Sequence, residues 1–289
     1  MARARRIVAA MAGAALALAV AAPVFAQTPV APVANEKGGN GHKSKPPSSS
    51  PLPGTGGASP LAWVDDASLL APGSMSLTVS AMRWSGADLS EVDFPIIDAQ
   101  VGLTKRFQMG ASVPRIVGSS DGTGPVGGVG TSYISSKIAL LTGESDVKLA
   151  VSPMVEILGE GAVQALAPGA SRMQIGLPVS IEVAQGPARM FAATGVFSRG
   201  AWFAGGGAGV QASPRLGLSM SFTRAWAKTD VTGVNRDRRE LSGGVSYFVK
   251  PQIGVYGSIG RTIATTDDNG AGTSVSGGVT FLMNPSIAK

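Results

Sequence analysis

The chain has 289 residues, of which 44% are hydrophobic and only 15% are charged, with 40 glycines and no cysteine. This charged fraction is well below the roughly 25% of a typical soluble domain. The absence of cysteine excludes disulfides, thiolate catalysis and cysteine-ligated metals.

Residues 1–26 have the pattern of a cleaved secretory signal. Three arginines precede an apolar stretch, and Val24 and Ala26 place small residues at positions −3 and −1 before Gln27. A retained membrane anchor is the alternative, although the apolar stretch is short and rich in alanine. Removing Arg3, Arg5 and Arg6 lowers the formal net charge from +6 to +3. An exported chain with this small charge is expected to have no nucleic-acid partner.

The next two segments separate this signal from the rest of the chain. Residues 27–60 are rich in proline, serine and glycine, a composition that cannot bury enough apolar surface to fold. We predict a disordered periplasmic tether there. Residues 61–73, L-A-W-V-D-D-A-S-L-L-A-P-G, form a short amphipathic lead-in, which either plugs the mouth of the following domain or packs against it.

From residue 74 onwards, short stretches alternate between apolar and small polar residues. In residues 213–222, S-P-R-L-G-L-S-M-S-F, the apolar side chains fall on one face of an extended chain, while glycine and serine fall on the other. Similar units begin at Lys105 and Lys250. We predict about twelve strands, at 74–84, 94–104, 107–116, 131–141, 147–157, 172–183, 189–198, 201–212, 216–226, 240–249, 253–263 and 274–283.

The connections between these strands alternate in length. Turns near residues 105, 143, 186, 214 and 250 are short, and longer polar loops lie between them, apart from the short connection at Arg199 and Gly200. This pattern predicts an all-β fold: an antiparallel up-and-down transmembrane β-barrel over residues 74–284, with short periplasmic turns and longer extracellular loops. Residues 285–289 are a predicted periplasmic tail. A secreted β-sandwich is the alternative fold.

Three prolines fall within predicted strands, where each removes a backbone donor. We expect Pro95 to start its strand, and we expect bulges or kinks at Pro153 and Pro178.

Charged and aromatic residues give the barrel a direction. Arginine near the outer ends of rising strands suits contact with lipopolysaccharide phosphates, although such side chains can equally extend to water. Aromatic residues near both strand ends suit two interfacial girdles. The predicted outer-rim residues are Arg83, Arg115, Arg224 and Arg261, and the predicted interfacial aromatics are Trp84, Trp202, Trp226, Phe107, Tyr247 and Phe281.

The polar face of the strands carries a small set of charges that we assign to the lumen. They either form a selectivity constriction or pair with one another and fill the lumen. The only histidine, His42, lies in the tether, which excludes a serine–histidine machine inside the barrel. We predict no catalytic residue, no cofactor and no metal site. The lumen candidates are Asp98, Lys137, Lys148, Glu156 and Glu182.

The order of signal, proline-rich tether, lead-in D-D-A-S-L-L-A-P-G-S-M-S-L and repeated turn-x-L-G-x-S strands resembles bacterial outer-membrane barrels of the transporter type. It is similar to the MetA-pathway phenol-degradation family over roughly residues 63–283. The resemblance implies uptake of small solutes, with aromatic compounds as a candidate class. One departure is the C-terminus, S-I-A-K, because outer-membrane proteins commonly end in an aromatic residue that the assembly machinery reads.

Together these features predict an outer-membrane protein that is a passive pore or uptake channel for small solutes. Its expected partners are the outer membrane with its lipopolysaccharide, the outer-membrane assembly machinery and a small-molecule solute. A structural or adhesive barrel with a filled lumen is one alternative, and a secreted β-sandwich binding module is the other.

Overall fold

The computed structural model describes residues 67–86, 90–120, 127–141, 146–159, 171–227, 237–266 and 271–283. Within these ranges every regular element is a β-strand. No helix in the described residues is long and apolar enough to cross a membrane. The predicted signal, tether and tail, together with residues 61–66 of the lead-in, lie outside this part of the chain.

Fourteen strand segments follow one another along the described chain. Their bounds are β1 (Met75–Ser85), β2 (Ser90–Gly102), β3 (Phe107–Ser120), β4 (Gly128–Val129), β5 (Ser132–Leu141), β6 (Val147–Val151), β7 (Met154–Ile157), β8 (Met173–Gln185), β9 (Ala188–Phe197), β10 (Ala201–Ser213), β11 (Leu216–Ala227), β12 (Asp237–Lys250), β13 (Ile253–Thr265) and β14 (Thr273–Met283).

These segments form one closed antiparallel sheet of twelve strands. β6 and β7 are two halves of one strand, because both pair with β5 on one side and with β8 on the other. β4 is a two-residue piece ahead of β5 that pairs with β3. The sheet closes where β1 pairs with β14, from Met75 opposite Met283 to Ser85 opposite Thr273. The barrel prediction is therefore confirmed, and closure excludes the two-sheet sandwich.

Strand alternation divides the barrel wall into an outward apolar face and an inward face of smaller and more polar residues. In β8, Ile175 and Leu177 are 64% and 48% exposed, whereas Ser180 and Glu182 are 4% and 2% exposed. The same division runs around the sheet, since the exposed large apolar side chains lie on the outward face. An apolar outer wall cannot be left in water at this size, and it suits a lipid environment.

The prolines behave differently from one another. β2 begins at Ser90 rather than at Pro95, and the ladder shifts register between Asp93 and Ile96. This shift removes Pro95 from the ladder, so its missing N–H leaves no bond unmade. At Pro153 the strand is interrupted, because Ser152 and Pro153 separate β6 from β7, but the register with β5 and β8 continues unchanged across the break, so it is not a bulge. Pro178 lies within β8 without ending it.

The two ends of the barrel differ in their connections. One end, here the turn end, carries the short turns, such as Gly186–Pro187 between β8 and β9 and Pro214–Arg215 between β10 and β11. The opposite end, here the loop end, carries the longer connections. The short link at residues 198–200 is the expected exception, and Gly200 takes a positive φ of 81° that favours glycine.

We predict that an arginine on the outward face of β8 is costly at mid-height and tolerated at the rim. Val179→Arg should lower the free energy of unfolding by about 2–4 kcal/mol, and Met173→Arg by about 0–1 kcal/mol, because only the rim allows the charge to reach water. Urea titration in lipid vesicles, followed by tryptophan fluorescence, measures both. Equal losses at the two positions would show that the outward face of β8 does not lie in lipid.

Candidate functional site

All five predicted lumen charges lie on the inward face, but they do not form one constriction. Three of them, Lys137, Lys148 and Glu182, meet at the turn end. Asp98 lies at mid-height on β2, where it is 6% exposed. Glu156 lies in the loop-end half on β7, where it accepts a 2.5 Å hydrogen bond from Gln174 Nε2. The interior therefore has charges at several heights rather than a single charged ring.

The three turn-end charges converge on Ser68, a residue of the lead-in segment. Ser68 Oγ donates to Glu182 Oε2 over 2.7 Å, and Lys148 Nζ donates to Ser68 Oγ over 2.6 Å. Lys148 also forms a 3.2 Å ion pair with Glu182 Oε1. Lys137 Nζ reaches the Ser68 carbonyl oxygen at 3.3 Å. We refer to these four residues as the turn-end cluster.

The lead-in enters the barrel mouth through a turn just before β1. Ser74 N donates to Ala71 O, and Gly73, at φ 77°, donates to Gly102 O over 2.7 Å. Farther in, Leu70 N donates to Gln108 Oε1 over 2.7 Å. Ala67, Ser68 and Leu70 are 2%, 6% and 6% exposed, so residues 67–70 lie inside the barrel, whereas residues 71–73 are exposed at its mouth.

Gly102 makes room for this segment. A Cβ atom at residue 102 would overlap Ala71 O and lie 2.6 Å from Leu70 O, which is too close for any real side chain. The glycine is therefore required by close backbone approach, which is one of the few reasons for glycine within a strand.

The structure also places charges inside the barrel that the sequence left unassigned. Arg189 on β9 lies 4.0 Å from Glu182 and stands over the Phe191 ring at 5.5 Å. Arg238 and Glu240 on β12 form a 3.6 Å ion pair near the loop end. Alternation in β12 was sufficient to identify that pair. The sequence of β9 gave no facing, because small and apolar residues occupy both of its faces.

Trp84 was predicted as an interfacial aromatic on the lipid side, and this prediction is wrong. It is 7% exposed and faces inward, where it packs with Met82 and Ile96. The Arg238 guanidinium lies 5.4 Å from its ring, and the ring covers Gly272, whose lack of a side chain leaves the space. The physical reason is parity, because Trp84 lies an even number of residues from Thr78 and Met82 and therefore faces inward with them.

A second apolar cluster lines the loop-end half of the interior. Phe203 is fully buried and its ring lies 6.2 Å from that of Phe197, with Met154 and Ala193 beside them. The sequence predicted a polar inward face, but these apolar side chains show that the face is not uniformly polar. In the loop-end half these buried apolar side chains lie alongside charges such as Glu156 and the Arg238–Glu240 pair, and the turn-end half holds the turn-end cluster.

The remaining predicted rim and girdle residues lie on the outward face. Arg83, Arg115 and Arg261 are exposed near the loop end, and Arg224 is half-buried there. Their contact with lipopolysaccharide stays a prediction. Trp202 and Trp226 are paired outward residues at the loop end, with ring centroids 3.4 Å apart. The outward aromatics at the turn end are Phe107, Tyr247 and Phe281.

Among the described residues, no group of three or more histidine, cysteine, aspartate or glutamate side chains could hold a metal ion. The interior offers hydrogen bonds and charges instead. Hydroxyl pairs bridge neighbouring strands, such as Thr78 and Thr280 at 2.8 Å between oxygens and Ser221 and Ser242 at 2.8 Å. These groups can solvate a polar ligand or water.

A closed twelve-strand barrel with an apolar outer wall and a partly charged interior belongs to the fold class of bacterial outer-membrane porins and channels. The chain is similar to the COG4313 outer membrane channel from Pseudomonas putida F1, at TM-score 0.58 and 12% identity over 75% of this chain and 98% of that chain. It is also similar to the NanC porin, at TM-score 0.52 and 12% identity over 71% and 98% of the two chains.

No protein-family model matches the chain, and no curated protein sequence matches it significantly. At 12% identity the two solved structures establish a shared fold and no more. The resemblance to the MetA-pathway family therefore stays a prediction.

We predict that Ser68 and Glu182 stabilise the barrel jointly. In a double-mutant cycle of Ser68→Ala and Glu182→Gln, the free energies of unfolding should depart from additivity by about 1–2 kcal/mol, because each change removes the same charged hydrogen bond. Urea titration of the four proteins measures this coupling.

The control cycle pairs Glu182→Gln with Ser219→Ala, an inward serine on β11 that is 3% exposed. This pair should be additive within about 0.5 kcal/mol. Additivity of the Ser68 pair as well would contradict the turn-end cluster.

Proposed function

We propose that this protein is an outer-membrane channel for small solutes, with its turn end in the periplasm and its loop end outside the cell. The observation that carries the proposal is the closed barrel, with an apolar wall outside and polar and charged groups along its axis. An apolar wall of this size is unfavourable in water and suits lipid, while polar and charged interior groups suit the passage of a solute. Insertion of the barrel would involve the outer-membrane assembly machinery.

The interior lining favours solutes that combine an apolar surface with polar groups. Phe197 and Phe203 lie towards the loop end, with Trp84 on the opposite part of the wall. All three rings are buried in the described state, so a solute would reach them only when the packed interior opens. An apolar or aromatic solute gains free energy there by leaving water, while hydroxyl pairs and charges bind its polar groups. This agrees with the aromatic compounds that the family resemblance implies. Twelve strands also enclose a narrower lumen than a 16-stranded porin, which limits the channel to small solutes.

We propose that the lead-in segment closes the periplasmic mouth of this channel. Residues 67–73 are held to the wall by the turn-end cluster and by Gln108. Each of these bonds contributes about 0.5–3 kcal/mol, which is small enough to break and re-form. We therefore propose that movement of the lead-in opens the path to the periplasm.

A structural or adhesive barrel is the second candidate, and one observation favours it. The inward side chains are closely packed, with Thr78, Ser112 and Ser246 all between 1% and 4% exposed. A lumen that is permanently filled would need no opening segment. The two candidates differ in whether current flows through the purified protein.

Conductance in planar bilayers tests the channel directly. The full-length protein should produce discrete current steps, while a preparation denatured before reconstitution should produce none. Uptake of a small aromatic solute by a deletion strain and its parent tests the solute class. If the full-length protein folds, as judged by heat-modifiable migration in gels, but does not conduct, the structural barrel is supported instead.

Gly102→Ala should open the channel more often. The new methyl group overlaps the backbone of the lead-in and should displace it, which breaks a hydrogen bond such as the one from Leu70 N to Gln108. The loss of one such bond corresponds to a roughly two- to tenfold larger open fraction. Single-channel recording measures the open fraction. Gly118→Ala on β3 is the matched control, because no atom of the described residues, apart from its chain neighbours, lies within 4 Å of the added methyl group. An equal effect of both changes would contradict gating by the lead-in.

A further inference from the structure

We infer that the lipid-facing wall carries a binding site for a phosphorylated glycolipid of the outer leaflet, at the loop ends of β10, β11 and β12. The site consists of Arg224, Trp226, Asp237, Arg239 and Trp202, here the rim cluster. The inference goes beyond solute transport and depends only on the proposed outer-membrane location.

Strand register brings these residues to one place on the outward face. Arg224 pairs with Arg239 and Trp226 pairs with Asp237 across β11 and β12, while Trp202 on β10 pairs with Trp226. Arg224 and Trp226 are two residues apart on β11, as are Asp237 and Arg239 on β12, so each pair lies on one face of its strand. In both strands this is the face that points away from the lumen. A lipid headgroup at the loop end therefore meets the whole cluster.

One carboxylate holds two guanidinium groups in place. Arg224 donates from Nε to Asp237 Oδ1 over 3.0 Å and from Nη2 to Oδ2 over 2.9 Å. Arg239 Nη2 donates to the same Oδ2 over 3.2 Å. Two positive charges against one negative charge leave the cluster with a net charge of +1. Its geometry is thus fixed without its charge being neutralised, which reduces the ordering cost of binding an anion.

Both guanidinium groups keep donors available. Each has five N–H groups, of which Arg224 uses two on Asp237 and Arg239 uses one. The side chains are 43% and 42% exposed, so the remaining donors face the membrane side, apart from the Arg239 Nε–H, which the described part of the protein shields. Phosphate oxygens match such donors in charge and in geometry.

The two tryptophans give the site an aromatic surface beside the Arg224 guanidinium. The Arg224 guanidinium lies 4.9 Å from the centre of the Trp226 ring, and that ring contacts Trp202. Tryptophan occupies the headgroup level of membranes because its ring is apolar and its N–H is polar. The stack therefore places the guanidinium groups at the depth of lipid phosphates.

The other outward arginines provide the comparison. Arg83 and Arg115 lie on the same face at the same end, but in the described residues no carboxylate or aromatic ring holds either of them. They are single charges that can extend to water. If surface charge alone attracted the lipid, these arginines would serve equally well.

The test measures binding of diphosphorylated lipid A to the purified full-length protein in detergent by native mass spectrometry. The Arg224→Gln, Arg239→Gln double variant should bind about tenfold or more weakly, because it loses several charge-assisted bonds. The control double variant, Arg83→Gln with Arg115→Gln, removes the same charge and should bind within about twofold of the parent.

Two further arms identify the ligand. Lipid A without its phosphates should bind about as weakly to the parent as lipid A does to the Arg224 and Arg239 variant. Inorganic phosphate at the same concentration should not displace lipid A. Equal loss in both double variants, no preference for phosphorylated lipid A, or displacement by phosphate alone would each overturn the inference.

Folding is checked in every variant by heat-modifiable migration, and conductance is recorded as a separate measurement. If the glutamine variant fails to fold, Arg224→Lys with Arg239→Lys replaces it, because lysine keeps the charge but cannot form the planar two-point contact. That variant should bind more weakly than the parent, and parental affinity would overturn the inference. Since conductance and lipid binding are measured separately, failure of the channel proposal is distinguishable from failure of this one.

Discussion

The pairing of β1 with β14 is the constraint on which the rest of the structure depends. A backbone N–H or C=O that faces lipid without a partner costs several kcal/mol, so a sheet in a membrane has to close on itself. The rule holds even where the sheet is interrupted. At the break between β6 and β7, Ser152 N donates to Pro178 O over 2.8 Å and Pro153 O accepts from Ser136 N over 3.0 Å. Proline is tolerated at this break because the other backbone groups there still pair with the neighbouring strands.

The contrast between the two faces of a strand explains how much of the molecule could be predicted from its sequence. Strand alternation is local, so the facing of β8 and β11 follows from the residues themselves. Trp84 was also predictable by parity, and its wrong assignment came from using height along the strand alone. β9 and β10 were ambiguous, because small residues on both faces remove the contrast on which alternation depends. The docking of Ser68 was beyond prediction, since a short segment without periodicity gives no register against strands more than 60 residues away.

Arginine is used in two different ways in this barrel. On the inward side, Arg189 and Arg238 are closely surrounded, lie against aromatic rings and approach acidic side chains on the same or the adjacent strand. On the outward side, arginine occurs at the loop end, where water is close enough to solvate it. Burial therefore requires a carboxylate, while exposure at the rim does not. Arg224 and Arg239 depart from this division, because both pair with Asp237 on the outward side.

The turn at Gly73 joins the lead-in covalently to β1, so its docking is an intramolecular reaction. Seven residues reach at most about 25 Å when fully extended, so a released Ser68 stays close to the mouth that it left. A short tether of this kind corresponds to an effective concentration of the order of millimolar. Re-closure is therefore independent of protein concentration, and a free peptide with the same sequence would compete only at similar concentrations. In the channel proposed above, this covalent connection at Gly73 therefore limits how far the lead-in can move from the periplasmic mouth.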